Sequence, residues 1–273
     1  MSILICPVCR NVLKTDNSKF YCKNNHSFDI SKKGYVNLLM SNASSAKRHG
    51  DDKAMVVART DFLNRGYFKR LSEIIAEKSS NCIKSSPIIL DCGCGECYYI
   101  NEVNNRLLKE NKTPVLYGMD ISKEALPYGK KRLKEITLFA ASVYKIPVMP
   151  NSVDIVLNVF APICMDEMAR IVKKDGILIK VFPLENHLIE LKRCLYENVY
   201  LNRPVVEQND MFELRSTEKL EYTFELKTKE EIDSLFKMTP YYYKTSEYAQ
   251  KKLSEISELE VTGSFGISEY IRK

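Results

Sequence analysis

From Pro87 onward, short uninterrupted apolar runs alternate with stretches of helical periodicity. That pattern belongs to parallel strands covered on both faces. Ile88–Leu90, Val115–Met119, Thr137–Ala140, Val153–Val159 and Ile177–Phe182 read as five strands. Helical stretches run to about Glu110, from Ser122, over Asp166–Val172 and over His187–Val199, with a turn at Asp175-Gly176. The carboxyl-terminal pattern differs: Leu220–Leu226 alternates like an exposed edge strand and Lys229–Phe236 is helical. Leu259–Ile271 reads as strand, turn at Gly263–Gly266, strand. Upstream, Met55, Val56, Phe62, Leu63, Leu71, Ile74 and Ile75 recur at near-helical spacing over Ala54–Asn64 and Phe68–Lys78, with Gly66 as the break. Residues 27–60 begin with a short extended piece, and within them Ser41–Asp52 reads as a mobile loop. No internal repeat is present.

The 273 residues suit one large domain, or a standard domain with a smaller appendage. Apolar residues at 45% and charged ones at 28% are an ordinary globular mixture, which excludes disorder and low complexity. No apolar run reaches the length of a membrane span, and the amino terminus lacks a secretory pattern. A cytoplasmic protein without membrane contact is expected. The net charge of +6 sits entirely in residues 1–60, which hold 10 Lys/Arg against 4 Asp. An anionic partner such as nucleic acid would favour this placement, and a merely solvated basic face would produce it equally well.

Three of the nine cysteines and one of the three histidines sort by spacing. Cys6, Cys9, Cys22 and His26 form C-x2-C-x12-C-x3-H. Thiolate and imidazole are zinc ligands, and a C-x2-C turn lets two sulfurs face one ion. The residues between the pairs suit a hairpin turning at Asp16-Asn17-Ser18. With four protein ligands the ion is structural, since so short a segment cannot build a stabilising core.

The first apolar strand closes on Asp91-Cys92-Gly93-Cys94-Gly95-Glu96. A glycine turn there lets the backbone approach a ligand, and the next helix offers free N–H groups. Asp120, twenty-five residues beyond Gly95 at the end of the second strand, suits a carboxylate gripping the hydroxyls of a ribose. The dinucleotide pattern G-x-G-x-x-G fails at Tyr98, and Asp91 would repel a pyrophosphate. The loop suits a cationic nucleoside without phosphates, such as S-adenosylmethionine.

Leu90–Glu96 resembles the first motif of class I S-adenosylmethionine-dependent methyltransferases, with Cys97 in place of the third glycine. The zinc pattern, the stretch from His26 through Gly34-Tyr35-Val36-Asn37-Leu38-Leu39, Gly50-Asp51, Ala58-Arg59 and Phe62-Leu63 narrow the likeness. Together with Cys94-Gly95-Glu96, Tyr98-Tyr99, Phe160-Ala161-Pro162 and His187-Leu188, they resemble the bacterial 23S rRNA (guanine-N1)-methyltransferases over the whole chain. The resemblance implies a Rossmann-like α/β domain with a seven-stranded, mostly parallel sheet and helices on both faces. It also implies a small zinc-binding, RNA-recognising domain at residues 1–40, a connector at 41–80, and a methyltransferase domain at 81–273. Cys6, Cys9, Cys22 and His26 would hold zinc. Phe68, Asp91, Gly93, Gly95, Glu96, Asp120, Ser142 and His187 would line the S-adenosylmethionine site. The partner would be a 23S rRNA hairpin, and a homodimer is left open.

The acceptor base is expected at the strip Asn158–Pro162, where no carboxylate offers itself as general base; the catalytic residue is unassigned, and Asp154 and Asp166 are expected to be structural. Phe160, Tyr35 and Tyr98 are candidate stacking surfaces. Two other readings stand beside this one: a small-molecule methyltransferase with the zinc segment as a lid, and a non-catalytic RNA-binding protein whose cofactor site has decayed at Cys97.

Overall fold

The computed structural model describes residues 2–16, 18–40 and 50–273. Asn17 of the expected turn and residues 41–49 of the expected loop lie outside the described residues.

Strands β1 (Lys14–Thr15), β2 (Lys19–Tyr21) and β3 (Ser27–Asp29) form a small antiparallel sheet in chain order. It has too few residues to enclose a core, so its apolar side chains point into the rest of the molecule. Ile3, Leu4, Leu13 and Phe20 are buried in one cluster with Tyr117, Phe139, Ile146 and Val148. The backbone joins as well: Ile5 N–H donates to the Pro147 carbonyl and Met149 N–H to that of Ile3, both at 2.9 Å.

The remaining elements follow in chain order. β4 (Tyr35–Asn37) precedes helices α1 (Lys53–Asn64) and α2 (Lys69–Ser80). Next come β5 (Ile88–Cys92), α3 (Tyr98–Lys109), β6 (Val115–Asp120), α4 (Leu126–Arg132) and β7 (Thr137–Ala140). They are followed by β8 (Val153–Val159), α5 (Met165–Ile171), β9 (Val172–Pro183) and α6 (Ile189–Leu195). The chain closes with β10 (Phe212–Leu226), α7 (Lys229–Lys237), α8 (Glu247–Ser254) and β11 (Leu259–Arg272).

The large sheet runs β10-β11-β9-β8-β5-β6-β7-β4. Pairings from β9 to β4 are parallel, and those of β11 with β9 and β10 are antiparallel. The expected mostly parallel sheet is present, with the seven strands β5–β11 and an eighth, β4, added from the amino-terminal part. Order reverses between β5 and β8, the position at which open α/β sheets bind ligands beyond their carboxyl ends.

Because strand side chains alternate, the sheet buries two cores. Ile89, Ile155, Leu157 and Ile179 pack against α1–α4 and α6–α8 on one face. Leu90, Val153, Val156 and Leu178 pack on the other, where α5 and the amino-terminal sheet are the covering layer. The small sheet thus occupies ground that a helix layer would otherwise cover. Among the described residues, no helix is long and apolar enough to cross a membrane.

Two sequence expectations are corrected. Leu259–Arg272 is one continuous strand with no turn at Gly263–Gly266. Those glycines clear space for rings: a Cβ on Gly266 would stand 2.5 Å from Phe182, and one on Gly263 3.0 Å from Phe265. The helix expected over His187–Val199 is confined to Ile189–Leu195, because Leu188 enters it with left-handed backbone and Tyr196 leaves it extended.

Candidate active site and metal centre

The four zinc-ligand candidates of the sequence converge. Their ligand atoms all lie within 4.8 Å of one another. Cys9 Sγ and Cys22 Sγ are 3.6 Å apart, and His26 Nδ1 stands 3.5 Å from Cys6 Sγ and 3.4 Å from Cys22 Sγ. A tetrahedral zinc with ordinary Zn–S and Zn–N bonds has edges of about 3.8 Å and about 3.6 Å, so the cluster fits the ion. Two tight turns make this possible: Arg10 N–H returns to the Cys6 carbonyl and Asn25 N–H to that of Cys22. Both Arg10 and Asn25 are left-handed. The backbone and side-chain N–H groups of Asn11 bring the Cys9 thiol down to about 6, which favours the thiolate a metal needs.

The second site gathers at the carboxyl ends of β5, β6 and β8. Gly93 has φ +88, and a Cβ there would overlap that of Ala161, so the β5 loop and the β8 loop touch only because this residue is glycine. Gly95, φ +51, donates its N–H to Asp120 Oδ2 at 2.8 Å, and Ser122 N–H donates to Asp120 Oδ1 at 2.8 Å. Two backbone donors therefore fix the Asp120 carboxylate, and each oxygen keeps a second lone pair. Cys97 caps α3 in the left-handed conformation, φ +64, with no side-chain capping bond. The backbone keeps the shape glycine would allow, and Gly129 of α4 leaves room for the sulfur: a Cβ there would stand 2.6 Å from Cys97 Sγ.

Acceptors outnumber donors in this cleft. Asp91, Glu96 and Asn158 are buried, and Asp91 Oδ1, Glu96 Oε1 and Asn158 Oδ1 have no hydrogen-bond partner among the described residues. Burial, reinforced by Asp120 and Glu96, pushes the Asp91 carboxyl well above its usual range. Burial likewise raises Glu96 and Asp120, against the pull of Arg59 on both. Buried lone pairs without donors are costly, so the arrangement calls for a ligand rich in N–H, O–H or positive charge.

An aromatic wall stands beside it. Phe160, left-handed at φ +54 and 40% exposed, stacks on His187 with centroids 6.0 Å apart and an interplanar angle of 19°. Phe68 lies 6.4 Å from Phe160 and 6.1 Å from His187, and Phe265 and Tyr99 complete the group. His187 Nδ1 accepts from Ser264 N–H at 3.3 Å, so the neutral ring carries its proton on Nε2. Ser142 follows β7, where Ala141 N–H binds the Asp120 carbonyl at 3.1 Å.

Of the residues expected here, Asp91, Gly93, Gly95, Glu96 and Asp120 meet around one loop, Ser142 adjoins it, and Phe68 and His187 belong to the wall. Asp154 stands apart: it binds Lys84, Lys173 and the Ile88 N–H at the amino-terminal side of β5 and β8.

The family model "RlmA, N-terminal" matches residues 4–47, and "Methyltransferase domain" matches residues 90–180. The chain is 30% identical over 271 residues to the Bacillus subtilis protein named "Putative 23S rRNA (guanine-N(1)-)-methyltransferase YxjB". That alignment covers 96% of this chain and 94% of the relative. The chain belongs to the 23S rRNA (guanine-N1)-methyltransferase family. A second relative, "23S rRNA (guanine(748)-N(1))-methyltransferase" of Streptomyces fradiae, is 30% identical over 195 residues, 70% of this chain and 67% of that one. A solved structure of geranyl diphosphate methyltransferase is 12% identical with TM-score 0.47, covering 75% of this chain and 78% of its own.

As a class of S-adenosylmethionine-dependent enzyme, this methyltransferase family accounts for the donor-poor cleft. The sequence places Asn158 only in the strip expected to meet the acceptor base, and Asp51 and Arg59 only among the residues of the family resemblance. Asn158 lies within an apolar strand, where its neighbours make it look like core. Its amide donates to the carbonyls of Cys92, at 3.3 Å, and Pro162, at 3.0 Å, which holds Oδ1 in one orientation. Asp51 and Arg59 come from before the α/β region, and folding brings them to the cleft.

Proposed function

We propose that this protein transfers a methyl group from S-adenosylmethionine to N1 of a guanine in a 23S rRNA hairpin loop. The observation that carries the reading is the alignment with the Bacillus subtilis relative through both the metal-bearing sheet and the cofactor cleft. Bound in the cleft, the donor supplies a methyl group on an electrophilic sulfonium.

The residues of this chain divide the work. Asp91 and Glu96 offer their donorless oxygens to the cationic end of the donor. Asp120, held by Gly95 and Ser122, accepts from the ribose hydroxyls. Gly93 and Gly95 let the donor lie against the backbone, Ser142 borders the adenine, and Phe68 and His187 wall the far side. Phe160 is the exposed ring at the end of β8 and stacks on the extruded acceptor base. Asn158, two residues before Phe160, keeps Oδ1 without a hydrogen-bond donor among the described residues. The guanine N1 proton leaves before or during transfer; His187 is not its acceptor, because Nδ1 is occupied by Ser264 and Nε2 already bears hydrogen. Alignment of donor and base, with water removed from both, supplies most of the rate.

Residues 1–40 then read the RNA with their basic surface, 41–80 connect, and 81–273 catalyse, in a cytoplasmic protein. Incubation of the purified protein with labelled S-adenosylmethionine and 23S transcript should label a single guanine and stop primer extension there, because N1 methylation blocks base pairing. Label that survives ribonuclease as a small molecule, or no label on any hairpin fragment, would overturn the proposal.

A further inference from the structure

The cleft holds four carboxylates, Asp51, Asp91, Glu96 and Asp120, and one guanidinium reaches into them from α1. Arg59 Nη1 pairs with Asp51, and Nη2 donates to the Met238 carbonyl at 3.0 Å. The same Nη1 lies 4.0 Å from the point a Cβ would occupy on Gly95, so the group stands directly over the glycine loop. Burial opposes its charge, but Asp51, and after it Glu96 and Asp120, outweigh that and hold it firmly protonated. The other guanidinium near Glu96, Arg132, is turned to the Glu96 carbonyl at 3.1 Å and to Asn64 Oδ1 at 2.8 Å, over the ring of Tyr98.

Resting on the proposed donor, we infer that Arg59 is the positioning residue for the donor's α-carboxylate. The amino-acid end of the donor carries an ammonium and a carboxylate side by side. The donorless oxygens of Asp91 and Glu96 suit the ammonium and would repel the carboxylate. Only a cation at the mouth of the same loop resolves that conflict, and the uncapped start of α3 below it adds free N–H groups of the right sign. A guanidinium has five N–H donors, and the two bonds to Asp51 and Met238 leave three for a carboxylate. Its side chain is 26% exposed, so the ligand can reach it. The pair with Asp51 and the bond to the loop after α7 hold the fork in place before the donor arrives. The sequence-distant contact also ties donor binding to the connector that leaves the metal-bearing module.

The test compares S-adenosylmethionine with its decarboxylated analogue, which keeps the sulfonium and the amine, by titration calorimetry on the full chain. In wild type the carboxylate is favoured; in Arg59→Gln the ratio of the two dissociation constants should move at least tenfold toward the analogue, through weaker S-adenosylmethionine binding, while analogue binding stays within about twofold. Arg59→Lys should fall between, and serves if the Gln variant does not fold. An unchanged ratio, or an equal loss for both ligands, would overturn the assignment and leave the methyltransferase reading intact. If neither ligand binds wild type, the donor itself is wrong and the inference falls with it.

Discussion

Asp91 and Asp120 stand at the ends of neighbouring parallel strands, the Asp120 oxygens held by the Gly95 and Ser122 N–H groups and Asp91 Oδ1 left without a donor. Asp91 is the more costly of the two, since burial and the nearby Asp120 and Glu96 disfavour its charge. The empty protein bears this cost, and a cationic ligand relieves it. Asp91→Asn should therefore raise the melting temperature of the ligand-free protein by about 2–5 °C while weakening S-adenosylmethionine binding at least tenfold. Differential scanning fluorimetry and calorimetry on the same samples check both halves; a variant that loses stability along with affinity would contradict the account.

Phe160 is exposed while Phe68, His187 and Phe265, the rings packed around it, are buried. A base stacked on such a ring gains about 1–3 kcal/mol. Phe160→Ala should lower kcat/KM for the RNA by about 10- to 100-fold. Binding of S-adenosylhomocysteine should change by less than about twofold. Equal losses in both would place the ring in the cofactor wall instead.

His187 introduces a pH dependence of stability. Burial, with Lys192 nearby, brings its pKa down to about 3, against about 6.5 in an unfolded chain. The folded value is the lower, so between these limits the unfolded chain binds the extra proton. Stability is thus whole above about pH 7 and falls as pH drops below about 6.5, by up to about 1.4 kcal/mol per unit. Asp91, Glu96 and Asp120 act in the opposite sense, because their raised folded values let the native state take protons first. Between pH 7.5 and pH 5, His187→Gln should recover about 2 kcal/mol relative to wild type, read from urea midpoints. Parallel pH curves would refute the buried neutral ring.

The metal cluster and the large sheet share a core. Ile3, Leu4 and Phe20 cover side chains of β6 and β7, so loosening the small sheet exposes the catalytic domain's own interior. Cys22→Ser, or removal of zinc by a chelator, should lower the single melting transition by about 10 °C or more. Two separate transitions, with the larger one unmoved, would show the sheet to be an independent appendage.

Local signals in the sequence were sufficient for the metal residues and the glycine loop. The spacing of Cys6, Cys9, Cys22 and His26 works because each pair closes a turn of a few residues, whose geometry hardly depends on the rest of the chain. Asp91, Gly93, Gly95 and Asp120 were legible because strand ends in a parallel sheet lie side by side. Glycine misled where its use was not local: Gly263 and Gly266 mark space for the rings of Phe265 and Phe182 within a straight strand.

Order along the chain settled the strand types, the parallel character of the sheet and the two clusters of chemistry, because period and short-range spacing are properties of neighbours. Packing settled the rest. It made β4 the eighth strand, laid the small sheet over a face of the large one, left Asn158 Oδ1 buried without a donor, and brought Arg59 over Gly95 from thirty-six residues away. Contacts of that kind depend on which apolar faces bury one another, and no spacing rule encodes them.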